Sequence, residues 1–342
     1  MKDLYGYIGK KNRCKLVCLG DILAHVEVYE AARQGNCFDF KPIFTDIKPI
    51  IKNADLAFCN QESILGGEKL GLHGGEYKKI GTEANPIFNS PYELGDAVID
   101  CGFNLISLAN NHTLDNGEAG VRNSLEFWRQ QFRRAYTSGS WNNDIDRSFI
   151  RIQSCNGIRF AFIAYTAKTN TILPPSGKDY LTNIYSPEKA KRDIDSIRDK
   201  VDMIIVSMHW GTEYNLGKID DNQKEIAEYL SSLGVNIIIG HHPHVIEPIE
   251  FINDTLVIYS LGNGLARQDG DDLMKRIGAM VTVDINNSRE KLNIKLDNIE
   301  LTYIYYTNNY KDFKIIPFSQ LTDNELPDYK KIENEYMKYI KK

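Results

Sequence analysis

Apolar residues along this chain fall into short runs of strand length separated by stretches of helical spacing, the pattern of a layered α/β protein. Residues 14–20 read as a buried strand, residues 26–34 and 42–53 as helix, and residues 55–59 as the next strand. Leu94, Ala97, Val98 and Cys101 give residues 91–101 a helical stripe. A strand over 103–109 and an amphipathic helix over 115–131 complete a β-α-β-α-β-α first half. Residues 148–154 and 158–166, joined through Asn156-Gly157, carry the strongest hairpin signal in the chain. Ser186 as cap and Pro187 in the first turn open a helix over 186–200, followed by strand 201–208, helix 221–233 and strand 235–239. Extended stretches over 245–252 and 255–260 turn through Asn253-Asp254; residues 280–285, 292–299 and 301–306 read as further strands. The set predicts two mixed sheets facing one another with helices outside, as a single domain over residues 1–320, then a charged helical tail over 321–342.

Composition narrows the classes. A chain of 342 residues with 42% apolar and 25% charged content is a soluble globular protein with room for a large core. A net charge of −5, with no basic stripe interleaved with aromatics, argues against nucleic acid as a partner. The six cysteines, Cys14, Cys18, Cys37, Cys59, Cys101 and Cys155, form no Cys-x-x-Cys pair; the expectation is buried free thiols and a reducing compartment. The apolar run 16–19 is too short for a signal-peptide core or a membrane span, so the chain as written reads as cytoplasmic with no membrane segment.

Candidate chemistry gathers where strands stop. Six of the seven histidines lie in four islands that each follow an apolar run: Gly20-Asp21 with His25, Asn111-His112 with Asp115, His209-Trp210-Gly211 with Glu213, and Gly240-His241-His242-Pro243-His244. A fifth island, Asn60-Gln61-Glu62, adds a carboxylate. In open α/β sheets sites form outside the carboxyl ends of strands, and imidazole, carboxylate and amide gathered there suit a transition metal working on oxygen-bound substrates. Asp21 is a hard-oxygen ligand or a helix cap, and His25, four residues on, shares its helical face as a ligand or a supporting group. Glu62 can bridge two ions, with Asn60 orienting it. Asp115 can accept one ring N–H of His112 and fix its tautomer. His242 and His244 alternate about Pro243, so an extended chain points both to one side and His241 to the other.

Taken in order, these motifs together with Tyr259-Ser260-Leu261-Gly262-Asn263 resemble the CapA family of capsule and poly-γ-glutamate synthesis proteins, also called PgsA, over residues 15–264. That family is similar to the calcineurin-like metallophosphoesterases. The resemblance implies a four-layered α-β-β-α sandwich with two divalent ions, Mn, Fe or Zn. It assigns Asp21 and His244 to one ion and Asn111, His209 and His242 to the other, with Glu62 as bridge and His112 as the catalytic histidine. Two positions depart from the metallophosphoesterase pattern: His25 stands four residues from Asp21 rather than two, and Glu62 replaces a bridging Asp.

The function expected on these grounds is a metal-dependent hydrolase acting on a phosphoester or γ-glutamyl-type substrate, an anionic small molecule or polymer. The alternative is a non-catalytic metal- or polymer-binding component of an envelope polymer-synthesis assembly. Asn60, Lys168, Asn170, Trp210, Glu213 and Asn263 are the candidate substrate-binding residues, with Tyr214 and Arg267 as further walls. The glycine-rich segment 66–86, carrying His73, Lys78 and Lys79, is the candidate loop over the site.

Overall fold

Period-two burial on the strands decides the layers. A computed structural model describes residues 12–80, 83–270, 272–288 and 291–341. On the strand Asn12–Ile22, Val17 and Leu19 pack outward among helix residues such as Val28, Leu94 and Val98, while Leu16 and Cys18 pack inward. The strand Leu56–Gln61 repeats this, with Ala57 and Cys59 outward, Leu56 and Phe58 inward. Facing them, Ile205, Ile237, Ile239 and Leu256 of the second sheet enter the same central core, and Ile204, Val206, Ile238 and Val257 point the other way, toward helix residues Ile194, Ile226 and Leu230. Three apolar clusters therefore separate four layers, helix, sheet, sheet, helix.

Both sheets are mixed. The first runs Lys314–Pro317, Lys291–Tyr305, Ile277–Ser288, Asn12–Ile22, Leu56–Gln61, Leu105–Ser107, Tyr136–Ser138, with Asn263–Leu265 also paired to the end of Asn12–Ile22. The second runs Ile249–Ile252, Thr255–Ile258, Ile237–His241, Met203–His209, Ile158–Thr166, Ile152–Cys155. In the first sheet the four strands from Asn12–Ile22 to Tyr136–Ser138 pair parallel and the pairings from Asn12–Ile22 out to Lys314–Pro317 are antiparallel; in the second the central strands are parallel and both edge strands antiparallel. This matches the two facing mixed sheets predicted from the pattern.

Local signals account for most elements. Asn156 and Gly157 both take positive φ, 49° and 91°, as a two-residue hairpin turn requires, and Asn253 does the same at 53°. The Ser186 side chain accepts from the backbone N–H of Lys189 and caps Pro187–Ile197. The helix Tyr329–Ile340 lies against the central core through Tyr336 and Ile340.

Other elements differ from the pattern reading. Residues 26–34 form only the helix Val26–Ala31, followed by the ribbon Arg33–Gln34 and Cys37–Phe38. Residues 42–53 split into a 3₁₀ turn, Lys41–Phe44, and a helix, Lys48–Lys52, because Pro42 and Pro49 each occupy a first helical turn and start a new element. Segment 66–86 is mainly a hairpin, His73–Ile80 with Glu83–Asn89, whose tip lies outside the described residues. The stretches 292–299 and 301–306 are one strand, Lys291–Tyr305.

The cysteine expectation is corrected in part. Cys14 and Cys155 form a disulfide, Cα–Cα 6.1 Å, which ties the first strand of one sheet to the edge strand of the other; Cys18, Cys59 and Cys101 are buried thiols and Cys37 is exposed. Their 141-residue separation hides the pair from sequence reading, and the disulfide removes the thiol argument for a reducing compartment. Among the described residues no helix is long and apolar enough to cross a membrane. Closing so long a loop constrains the unfolded chain, so replacing both cysteines by serine should cost about 2–4 kcal/mol of stability. Denaturation of the parent with and without reductant checks this; coincident midpoints would mean that the pair contributes nothing.

Candidate metal centre

Strand register brings the polar residues together. Asp21 pairs with Asn60 on one side and Asn263 on the other, while Thr166, His209 and His241 stand abreast in the second sheet. The two sets meet: the backbone N–H of His242 donates to Asp21 Oδ2 at 3.2 Å. Gly20 and Gly240 permit this approach, since a Cβ at either would lie 1.8 Å from Gly262 O or 2.0 Å from Tyr259 O.

Asp21, Glu62, His209, His241, His242 and His244 are each no more than 2% exposed. Their ligand atoms form overlapping sets in which all members lie within 4.8 Å of one another: Asp21, Glu62 and His244; Glu62, His209 and His242; Asp21, His209 and His241. Glu213, at the cleft side, forms a fourth set with His242 and His244. His242 and His244 reach the centre through left-handed backbone, φ 102° and 60°, and not by alternation along an extended chain. Non-glycine residues in that region cost on the order of 1–3 kcal/mol each and persist only where their surroundings impose them.

The unpartnered atoms test whether cations fit. Both carboxylate oxygens of Glu62 and both ring nitrogens of His242 are buried without a hydrogen-bond partner. Buried polar atoms in folded proteins nearly always have one. Burial, reinforced by the imidazoles around them, holds His209 and His242 well below the ordinary histidine range, so both rings are neutral and keep a lone pair for coordination. Burial, then the charges of Asp21 and Glu213, push the Glu62 carboxyl well above the usual carboxylate range. Burial opposes ionisation of Asp21 too, but its hydrogen bond to His244 and the charges of His241 and His244 outweigh it and hold that carboxyl low. Imidazole nitrogen with carboxylate oxygen is a donor set for Zn, Fe or Mn, and the residues present fit such ions.

Beside this cluster lies a cleft of about 680 Å³. His112, Asn111 and Asn170 form one wall, Tyr214, Glu213 and Arg267 another, and the hairpin from His73 to Asn89 a third. His112 Nδ1 stands 2.7 Å from Asp115 Oδ2, which also accepts the backbone N–H of Phe88 at 2.7 Å. The Phe88 ring packs edge-on against the imidazole.

Residues 15–268 match the sequence profile of the bacterial capsule synthesis protein PGA_cap. The chain belongs to the PGA_cap family. It is 30% identical over 255 residues to the PGA biosynthesis protein CapA of Bacillus subtilis (strain 168), covering 72% of this chain and 61% of that protein. To the capsule biosynthesis protein CapA of Bacillus anthracis it is 26% identical over 260 residues, covering 74% of this chain and 60% of that protein. The chain thus spans 61% and 60% of the length of these curated relatives. Its backbone is similar to that of the calcineurin-like phosphoesterase YfkN from Bacillus subtilis, with TM-score 0.47, 12% identity, and coverage of 96% of this chain and 99% of that one.

Within this PGA_cap domain the structure brings Asp21, Glu62, Asn111, His209, His242 and His244 together, with Asn111 Oδ1 2.8 Å from His209 Nε2. Three assignments change. His25 is not among the converging groups: it stands at the N-cap of Val26–Ala31, so it shares no helical face with Asp21, and its Nδ1 accepts the backbone N–H of Arg267 at 3.1 Å. Trp210 points into the outer core, its Nε1–H donating to Tyr259 O, and lines no part of the cleft. His241, expected to face away, stands inside the cluster. Asn60 and Asn263 lie beneath the cleft: Asn60 donates to Asp21 Oδ1 at 2.7 Å, and Asn263 Oδ1 is 3.0 Å from His244 Nδ1. Asn170 contacts Asn111 and borders the cleft, and Lys168 is exposed near enough to His242 to disfavour its protonation.

Glu62 makes the sign of a mutation depend on metal. A carboxyl whose folded pKa is raised contributes stability that is present below its unfolded value, about 4.5, and lost as pH rises toward the folded value. In metal-free buffer Glu62→Leu should therefore melt higher than the parent by a margin that grows from pH 5 to pH 8. With saturating Mn²⁺ or Zn²⁺ the order should reverse, since only the parent holds the full ligand set. Melting curves at both pH values with and without metal decide it; an unchanged order in metal would remove Glu62 from the ligand set.

Proposed function

We propose that the chain is a metal-dependent hydrolase of the PGA_cap family, acting with two divalent ions on a phosphoester or γ-glutamyl-type substrate. The observation that carries this reading is the set of unpartnered buried atoms on Glu62 and His242, which converge with His209. Asp21 and His244 would hold one ion, Asn111, His209 and His242 the other, and Glu62 would reach both. When bound, such ions supply Lewis acidity toward substrate oxygen and lower the pKa of water toward about 7.

The protein's own groups supply the rest. With its Nδ1–H donated to Asp115, His112 turns Nε2 to the cleft, where this nitrogen can take up a proton and return it to a leaving group. Asp115 holds the tautomer, and Phe88 fixes both partners by donating its backbone N–H to the carboxylate and packing on the ring. Asn170 and Lys168 offer an amide and a positive charge to an anionic substrate beside the cluster, and Tyr214, stacked on His244, closes the opposite wall.

His112→Ala should keep its metal while losing roughly 10²–10⁴-fold in turnover, and Asp115→Asn should lose less. Metal analysis beside hydrolysis of an activated aryl phosphate and a γ-glutamyl oligomer, with Mn²⁺, Zn²⁺ or Fe²⁺ supplied, tests this. A parent that holds two ions yet hydrolyses neither substrate would leave the domain a binding component.

A further inference from the structure

We infer that His241 is a positioning residue for His209, fixing the tautomer and ring orientation in which His209 Nε2 faces the metal cluster. This rests on the metal reading above and goes beyond it, since it assigns a role to a histidine outside the proposed ligand set.

The two rings meet nitrogen to nitrogen, His209 Nδ1 to His241 Nδ1, at 2.7 Å. His241 Nε2 stands 2.7 Å from Ser207 Oγ. On its far side His209 Nε2 is 2.8 Å from Asn111 Oδ1 and 3.6 Å from Glu62 Oε1. The chain Ser207, His241, His209, Asn111 is thus continuous and buried from end to end. Joint coordination of one ion by both Nδ1 atoms fits poorly: two imidazole nitrogens bound at about 2.0–2.1 Å in tetrahedral geometry stand roughly 3.3 Å apart. A separation of 2.7 Å is that of a hydrogen bond.

A hydrogen bond between two neutral imidazoles has one donor, and its direction sets every other proton in the chain. With Asn111 Oδ1 accepting from His209 Nε2–H, His209 Nδ1 accepts from His241 Nδ1–H and His241 Nε2 accepts from the Ser207 hydroxyl. Coordination through His209 Nε2 requires that nitrogen's lone pair. The ring proton of His209 then resides on Nδ1 and donates to His241 Nδ1, and His241 carries its own proton on Nε2, donating to Ser207 Oγ. Each ring holds one proton in both arrangements. His241 can supply the acceptor that the ligating form of His209 needs, the part that a carboxylate or carbonyl plays behind most metal-bound histidines.

The test is Zn²⁺ affinity by chelator competition for the parent, His241→Phe and His241→Asn, with two-bond ¹H–¹⁵N spectra of the parent's imidazoles before and after loading. Loss of an outer partner of this kind should weaken binding about 10–100-fold in His241→Phe. His241→Asn, whose Oδ1 takes the place of Nδ1 as an acceptor, should recover most of the loss. His241 should pass from the Nδ1–H to the Nε2–H tautomer on loading. If His241→Phe binds as tightly as the parent, if His241→Asn is as weak as His241→Phe, or if His241 keeps Nδ1–H, the inference is wrong while the metal reading stands. If the parent itself binds no Zn²⁺, both are wrong. Should His241→Phe fail to fold, the parent's spectra and His241→Asn decide alone.

Discussion

Two fully buried carboxylates set against four fully buried imidazoles are the constraint on which this structure turns. Taking such groups out of water is expensive unless each is hydrogen-bonded, and the side chains of Glu62 and His242 have no hydrogen-bond partner. The fold supports the cost by rigid means. Parallel strands of two sheets end side by side, Gly20 and Gly240 let them come into contact with the segment between Tyr259 and Gly262, and the packed layers hold His242 and His244 in left-handed backbone. A soft scaffold would let those side chains turn away and hydrate.

Much of this was legible in the sequence because it follows from strand alternation and strand ends. Each island begins where an apolar run stops, and the register then places Asp21 beside Asn60 and His209 beside His241. What stayed hidden depends on backbone geometry that residue spacing does not encode. Positive φ at His242 and His244 leaves no mark in a sequence where neither residue is glycine, so the His-x-His pair read as an extended segment and His241 as facing outward. The spacing puts His25 on a helical face with Asp21, but the helix starts only at Val26. Trp210 was within reach of the same reasoning: it follows His209 on the strand, so if the histidine faces the site the tryptophan faces the outer core. The hairpin that walls the cleft looked like a loop because its glycines, Gly74 and Gly75, sit within the strand His73–Ile80.

One loop, between Leu105–Ser107 and Gly117–Gln130, joins the buried cluster to the His112–Asp115 pair, since it carries both Asn111 and His112. The other side chains of the cluster come from strand ends and the loops that follow them. His112 and Asp115 come from the turn leading into the helix Gly117–Gln130, braced by Phe88 of the hairpin.

The proposed centre sets Glu62 between two cations. Anomalous diffraction from crystals soaked in Mn²⁺ addresses it most directly. Two peaks are expected within coordination distance of the Glu62 carboxylate, one shared with Asp21 and His244 and the other with His209 and His242. A map with no peak at Glu62, or with ions bound elsewhere, would contradict it.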